Sequence, residues 1–426
     1  MKKGLLLTVL AFMFCVSFGF AETDTSVVKA VTSFNVDSAT EQWINTLTPE
    51  QRAHSDAYFE GGYWLLLWST LYAIGVGVIF LFGGLSKRMK GLVSGVKSVN
   101  LQTFLYALLY FIAAYLLMFP FNVYQSYYRE HQYNLSNMSF AEWLTQDLIG
   151  LAVGTIGGSV LLILVYIAMR RTGKKWWMWG AGICIGFSVL VLFIAPVFLM
   201  PLFNKYEPLA DGNLKREILS MARANSIPAE NVYQFDASKQ SDRVSANVSG
   251  IGSTTRISLN DNLLKRCSAA EIKSVMGHEM GHYVMNHVYK GLVEMSVLLV
   301  LVFAVVAWAF NALLLRWSGR MGIESISDIA GLPLLVVLFT VVMFFATPIT
   351  NTMTRTMEAE ADMFGLNAAR EPDAEAHVDM MLSEYRKIDP GYWEEVFFFD
   401  HPSGRNRVHM AMQWKAEHLQ DCDRHP

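Results

Sequence analysis

The chain has 426 residues and a formal net charge of −3, which makes no case for nucleic acid as a partner, and it carries no Gly-rich phosphate loop. With 53% hydrophobic and 17% charged residues and a mean hydropathy of +0.30, it is too apolar for an ordinary soluble protein; apolar runs of bilayer length point to a mainly α, polytopic integral membrane protein. Four scattered cysteines exclude a disulfide framework and a Cys-rich metal site, leaving Cys267 with Cys422 as the one pair worth testing.

Residues 1–21 have Lys2 and Lys3, an apolar stretch, then Gly19-Phe20-Ala21 before Glu22, the pattern of a secretory signal peptide; an uncleaved first membrane helix is the alternative. Residues 22–60 form a polar, acidic extracytoplasmic segment of no evident role. A four-helix membrane region at 61–203 follows, with spans expected at 63–85, 104–121, 148–169 and 177–199. Lys87, Arg88, Lys90 and Lys97 follow the first span, and Arg170, Arg171, Lys174 and Lys175 the third. Basic loops belong in the cytoplasm, so the chain enters the first span from outside and leaves the fourth there. A cleaved leader gives the same orientation.

Residues 204–290 read as the first sizeable soluble-like segment: a helix at 214–224, a strand at 231–235, and a β-hairpin from 244–250 and 256–259. Then comes Gly277-His278-Glu279-Met280-Gly281-His282, an H-E-x-x-H motif. On a helix the two histidines share a face and can bind one metal ion, while Glu279 can take a proton from a water that zinc acidifies to a pKa of about 7. The alternative is a helix with two surface histidines. Ser268 and Glu271 read as a capping box, with Ile272, Val275, Met276 and Met280 as the apolar stripe. The helix is expected to continue through Tyr289 into a transmembrane hairpin at 291–350, with spans at 292–315 and 332–349.

Two crossings return the segment 351–426 to the side of His278 and His282. Its first acidic cluster holds Glu358 and Asp362, i and i+4 on one helix face: one can bind metal while the other orients a ligand histidine. A solvated acidic helix start is the alternative.

With these residues in order, the sequence resembles the integral-membrane zinc metallopeptidases that include the type I CAAX prenyl protease. Five stretches carry the resemblance: Leu81-Phe82-Gly83-Gly84-Leu85; Met200-Pro201-Leu202-Phe203-Asn204-Lys205-Tyr206 with Pro208-Leu209; His278 to Tyr283 with His287; Arg355, Glu358 and Asp362; and His401-Pro402 with Arg407. It implies a ring of transmembrane helices around a chamber, with a gluzincin-like peptidase subdomain carrying a small sheet. It implies one Zn2+ per chain held by His278, His282 and Glu358, with Glu279 as general base. It also makes Asp362 a residue behind the ligands, places His401 and Arg407 near the site with His401 facing an oxyanion, and puts His287 behind the ligands or on the helix surface. A polypeptide substrate and a lipid bilayer are the expected partners. Two departures stand out. The family's Asn-Ala on the substrate-pairing strand reads Ser245-Ala246-Asn247 here, and the metal site is expected outside, toward the periplasm of a bacterial inner membrane, where prenylated peptides are not expected. The expected role is cleavage of unfolded, membrane-associated or translocation-stalled proteins; CAAX processing and a non-proteolytic zinc-containing chaperone or scaffold are the rivals.

Overall fold

The computed structural model describes residues 34–250 and 255–419; the expected signal peptide and Cys422 lie outside the described residues, and Cys267 is half-buried. Helix α1 (Val36–Ile44) is capped by Asn35, whose side chain accepts from Ser38 N. Helix α2 (Pro49–Phe82) starts at a Thr48–Gln51 capping box with Pro49 at its first position. It stops three residues short of the expected span end, because Gly84 adopts a left-handed conformation (φ 73°) that turns the chain into α3 (Leu85–Val93).

Helix α4 (Val99–Val123) runs on through a π turn (Tyr124–Tyr128) into α5 (Arg129–Gln132). Helices α6 (Phe140–Thr172) and α7 (Trp176–Ile194) are separated by a short 3-10 turn at Gly173–Lys175 and pack side by side. After the peptidase elements come α11 (His287–Met321) and α12 (Leu332–Ala369). Five helical runs among the described residues are long and apolar enough to cross a membrane; one of them, Phe140–Leu202, contains both α6 and α7. Six helices therefore stand where six spans are expected.

These helices close a ring. Each packs against the next in the order α2, α4, α6, α7, α11, α12, and α12 returns against α2. The ring is packed solid at one end, where Phe80, Tyr106, Tyr166, Trp176, Phe303 and Phe310 are buried together. Polar contacts tie that end shut: Lys90 Nζ lies 2.9 Å from Asp328 Oδ2, and Ser86 Oγ donates to Ala330 O at 2.8 Å. Toward the other end burial thins out: α4 has no buried residue beyond Tyr110, and α7 none beyond Ala181.

The small sheet has strand order β1-β2-β4-β3, from β1 (Tyr206–Pro208), β2 (Val232–Phe235), β3 (Ala246–Ser249) and β4 (Arg256–Asn260). The expected hairpin is the antiparallel β3–β4 pair; β2 joins β4 in parallel, and β1, too short to read in the sequence, caps β2. Helix α8 (Asn213–Ala224) and α10 (Ala269–Val284), with the one-and-a-half-turn α9 (Asp261–Arg266) between them, cover the sheet through Ile218, Ile257, Leu259, Ile272, Met276 and Met280. Helices α13 (Pro372–Leu382) and α15 (Gly404–Glu417) flank the short α14 (Tyr392–Phe398). Together with α1, α13 and α15 bury Ile44, Leu366, Met380, Val408 and Trp414, which gives part of the unexplained N-terminal segment a packing role.

One expectation is corrected. The metal helix does not run unbroken into the fifth span: Asn286 is left-handed (φ 58°, ψ 36°), and α10 ends before it while α11 begins after it. Asn tolerates this conformation better than other non-glycine residues, since its short polar side chain hydrogen-bonds locally.

Candidate metal centre

Helix α10 starts at the expected capping box: Ser268 N donates to Glu271 Oε2 at 2.6 Å and Glu271 N to Ser268 Oγ at 3.4 Å. Met276 and Met280 lock one face into the sheet core, which leaves His278 and His282 together on another. Between them runs a seam of small residues. Gly277 and Gly281 meet Ala361, Gly365 and Ala369 of α12, so the two backbones touch. A Cβ at Gly365 would lie 2.9 Å from His278 N, a backbone atom with nowhere to go. Gly365→Ala is expected to cost about 1–3 kcal/mol and to displace His278. Thermal unfolding and metal content together check it: a variant with wild-type melting and full metal would mean that the seam has slack.

The seam sets Glu358 beside the histidines, because it lies one turn before Ala361 on α12. His278 Nε2 is 3.0 Å from His282 Nε2, and Glu358 reaches them at 3.2 Å (Oε2 to His278 Nε2) and 3.5 Å (Oε1 to His282 Nε2). Two imidazole nitrogens and a carboxylate crowded this closely need a proton or a metal cation between them. Tetrahedral zinc with bonds of about 2.0–2.1 Å to such ligands needs ligand–ligand edges of about 3.3 Å, so the donor set fits the ion in both chemistry and size. The three residues form one group of metal-binding geometry, and a fourth position is left free of protein ligand among the described residues.

Glu279 follows His278 on the same helix, turned about 100° around it. Burial pushes its carboxyl above the usual carboxylate range, against the pull of His278 and His282. A carboxylate so tuned is a stronger base near neutral pH.

Behind His278 stands Asp362, whose Oδ1 accepts from His278 Nδ1 at 2.7 Å. That bond leaves Nε2 to the metal. Arg407, from α15, grips both Asp362 oxygens, with Nε to Oδ2 at 2.8 Å and Nη2 to Oδ1 at 2.7 Å. Arg407 also donates to Glu375 Oε1 at 3.3 Å, and its Nη1 lies 2.7 Å from Asp379 Oδ1 without hydrogen-bonding alignment. Glu375 accepts in turn from Ser274 Oγ of the metal helix at 2.5 Å. Glu375 and Asp379 escape a reading of the sequence: on α13 they look like an ordinary acidic i,i+4 pair.

His401 comes to the rim of the triangle, its Nε2 3.2 Å from Glu358 Oε2 and its Nδ1 2.8 Å from Asp400 Oδ1. The loop that carries it hangs on Arg355, which donates to Glu395 O at 2.9 Å and Phe399 O at 2.6 Å. Thus Arg355, Glu358, Asp362, His401 and Arg407, spread over 52 positions (407 − 355), converge on one site. His287 lies behind His282 and holds no position in the triangle.

Residues 208–415 match the model of peptidase family M48, and residues 34–205 match the model of the CAAX prenyl protease N-terminal region with five membrane helices. The chain belongs to peptidase family M48. Its relatives include YhfN, an uncharacterized metalloprotease of Bacillus subtilis (strain 168), 29% identical over 98% of this chain and 97% of that one. CAAX prenyl protease 1 of Saccharomyces cerevisiae is 32% identical over 40% of this chain and 38% of its own length. The crystal structure of S. mikatae Ste24p matches with a TM-score of 0.71 at 21% identity, covering 88% of this chain and 96% of that one, which supports the fold. This M48 peptidase is an integral membrane zinc metalloendopeptidase whose substrate is polypeptide.

Proposed function

We propose that His278, His282 and Glu358 are the zinc ligands, that Glu279 is the general base, and that substrates are unfolded or membrane-associated polypeptides reached from the extracytoplasmic side. The observation that carries this is the compact ligand triangle with the half-buried Glu279 carboxylate, raised above its usual range, at the adjoining helix position. Zinc, when bound, supplies Lewis acidity toward the scissile carbonyl and the attacking water. Glu279 takes the proton from that water as its oxygen adds to the carbonyl carbon, and returns it to the leaving nitrogen. His401 Nε2, 3.2 Å from Glu358 Oε2 at the edge of the ligand triangle, is the donor for a tetrahedral oxyanion in this reading. Asp362, held by Arg407, keeps the His278 ring in its ligating orientation.

Substrate presentation follows from β3. It is the outer strand of the sheet beside α10, and its free edge is unpaired among the described residues. An extended peptide adds to such an edge through backbone hydrogen bonds, so sequence tolerance and a need for unfolding go together. Asn247, which stands where the family's usual pattern is altered, has a buried Oδ1 without a hydrogen-bond partner among the described residues, an acceptor suited to a substrate N–H.

The orientation rests on the basic residues of α3 and of the α6–α7 turn, at the ring's packed end. In a bacterial inner membrane this puts the metal centre toward the periplasm. Single cysteines at position 90 and position 415, labelled with a membrane-impermeant thiol reagent in intact cells, test it: the second is expected to react and the first not. Labelling at position 90 alone would reverse the orientation and revive CAAX-type processing, the activity for which several relatives are named. A non-proteolytic scaffold has no need of a base at the Glu279 position.

A further inference from the structure

The two ligand histidines are supported differently. His278 donates straight to a carboxylate, Asp362. Behind His282 no carboxylate is in reach among the described residues. Its Nδ1 lies 2.9 Å from His287 Nδ1, and His287 Nε2 lies 3.0 Å from Glu360 Oε2. Lys290 Nζ then holds both Glu360 oxygens, at 2.9 and 2.8 Å.

The protons in this chain have only one consistent arrangement. His282 Nε2 faces the metal triangle, so its Nδ1 carries the hydrogen and donates. His287 Nδ1 must then accept, which leaves its own hydrogen on Nε2, pointed at a carboxylate. His287 is 5% exposed, so no water competes for the ring. We infer that His287, Glu360 and Lys290 form a serial relay that fixes the tautomer and ring orientation of His282 and so sets how tightly zinc is held. His287 is a positioning residue here, one that acts through His282.

The backbone is built for it. On an unbroken helix, residues five apart are about 140° apart around the axis and cannot meet. The left-handed Asn286 ends α10 and restarts the chain as α11 with His287 at its first position, which brings the ring back beneath His282. Glu360 lies on α12 two residues after the ligand Glu358, so the relay also ties the two ligand-bearing helices, α10 and α12, together through α11.

The inference rests on His282 being a ligand, and the test separates the two. Zinc affinity of the purified full chain is measured by competition with a chromogenic chelator for wild type, His282→Ala, His287→Phe, Glu360→Leu and the His287→Phe/Glu360→Leu double variant, with melting of the metal-free proteins followed alongside. Outer partners of ligand histidines carry about 10–100-fold in metal affinity, so a loss in that range is expected for His287→Phe and a smaller one for Glu360→Leu. Because the relay is serial, the double variant is expected to be no weaker than His287→Phe alone. His287→Asn, whose side-chain oxygen can still accept from His282, is expected to recover part of the affinity. His282→Ala losing zinc while His287→Phe keeps wild-type affinity overturns the relay and leaves the metal site standing; His282→Ala keeping zinc overturns the site itself. Additive losses in the double variant, or losses matched by equal destabilisation of the metal-free protein, also overturn the relay. Should His287→Phe not fold, Glu360→Leu and Lys290→Met carry the same comparison, with Lys290→Met expected to have the smallest effect.

Discussion

Glu279→Gln is expected to lower kcat by about 10²–10⁴-fold while the protein keeps its zinc. Gln fills the same volume and makes similar hydrogen bonds, but it has no basic oxygen to accept a proton from water. Nothing in the ligand triangle touches the change, since His278, His282 and Glu358 supply the three donors. The measurement is metal content and cleavage of an unfolded protein, followed together on the detergent-purified wild type and variant. One zinc in each with cleavage by the wild type alone is the expected outcome. A variant that holds zinc and still cleaves at the wild-type rate would move the base to another residue. If neither cleaves any of a varied panel of substrates, the scaffold reading gains.

The second large effect is expected at Arg407. It is the cation on which Asp362, Glu375 and Asp379 converge, and all four side chains are buried. Burial pushes the Asp379 carboxyl well above the usual range despite the pull of Arg407. Arg407→Met leaves Asp362 and Glu375 facing each other without a counter-ion. Breaking a buried pair in this way costs about 3–5 kcal/mol, a large share of a typical domain's stability. Melting temperature and zinc content should fall together, because Asp362 then loses the grip that holds His278. Arg407→Lys is expected to rescue little, since an ammonium group cannot reproduce the two-pronged grip on Asp362. Asp379→Asn, by contrast, is expected to cost far less, as the amide keeps the side chain's shape where burial already disfavours the charged carboxylate. Full zinc and unchanged melting in Arg407→Met would show that the cluster does not hold the site.

The parts of this protein that were legible in the sequence are those written in local pattern. Apolar length marked the six membrane helices, the Ser268–Glu271 box marked the start of the metal helix, and the i,i+4 spacings of His278 with His282 and Glu358 with Asp362 marked the ligand faces. What stayed hidden depends on long-range convergence or on a single dihedral angle. Glu375 and Asp379 acquire their role only when α15 folds Arg407 into them, and no local pattern announces that. Asn286 is one polar residue in a helical pattern, and the continuous helix was the reasonable expectation; only its left-handed backbone gives His287 a partner. The three-residue β1 is below the length at which alternation can be seen.

Helix α12 is at once a membrane span and the carrier of Glu358. At about 1.5 Å per residue, Glu358 stands about 39 Å from the start of the helix at Leu332, the far end of a long lever. One degree of tilt at its base sweeps that carboxylate through about 0.7 Å, beyond the roughly 0.5 Å within which a metal constellation stays productive. Bilayers of different thickness tilt their spans by far more than that. The contact of Gly365 with His278 resolves the conflict, because it makes α10 travel with α12 as one rigid arm. A change of lipid thickness would then leave the bond lengths at the metal alone and swing the whole centre relative to the mouth of the ring, so membrane composition would act on substrate admission and not on zinc.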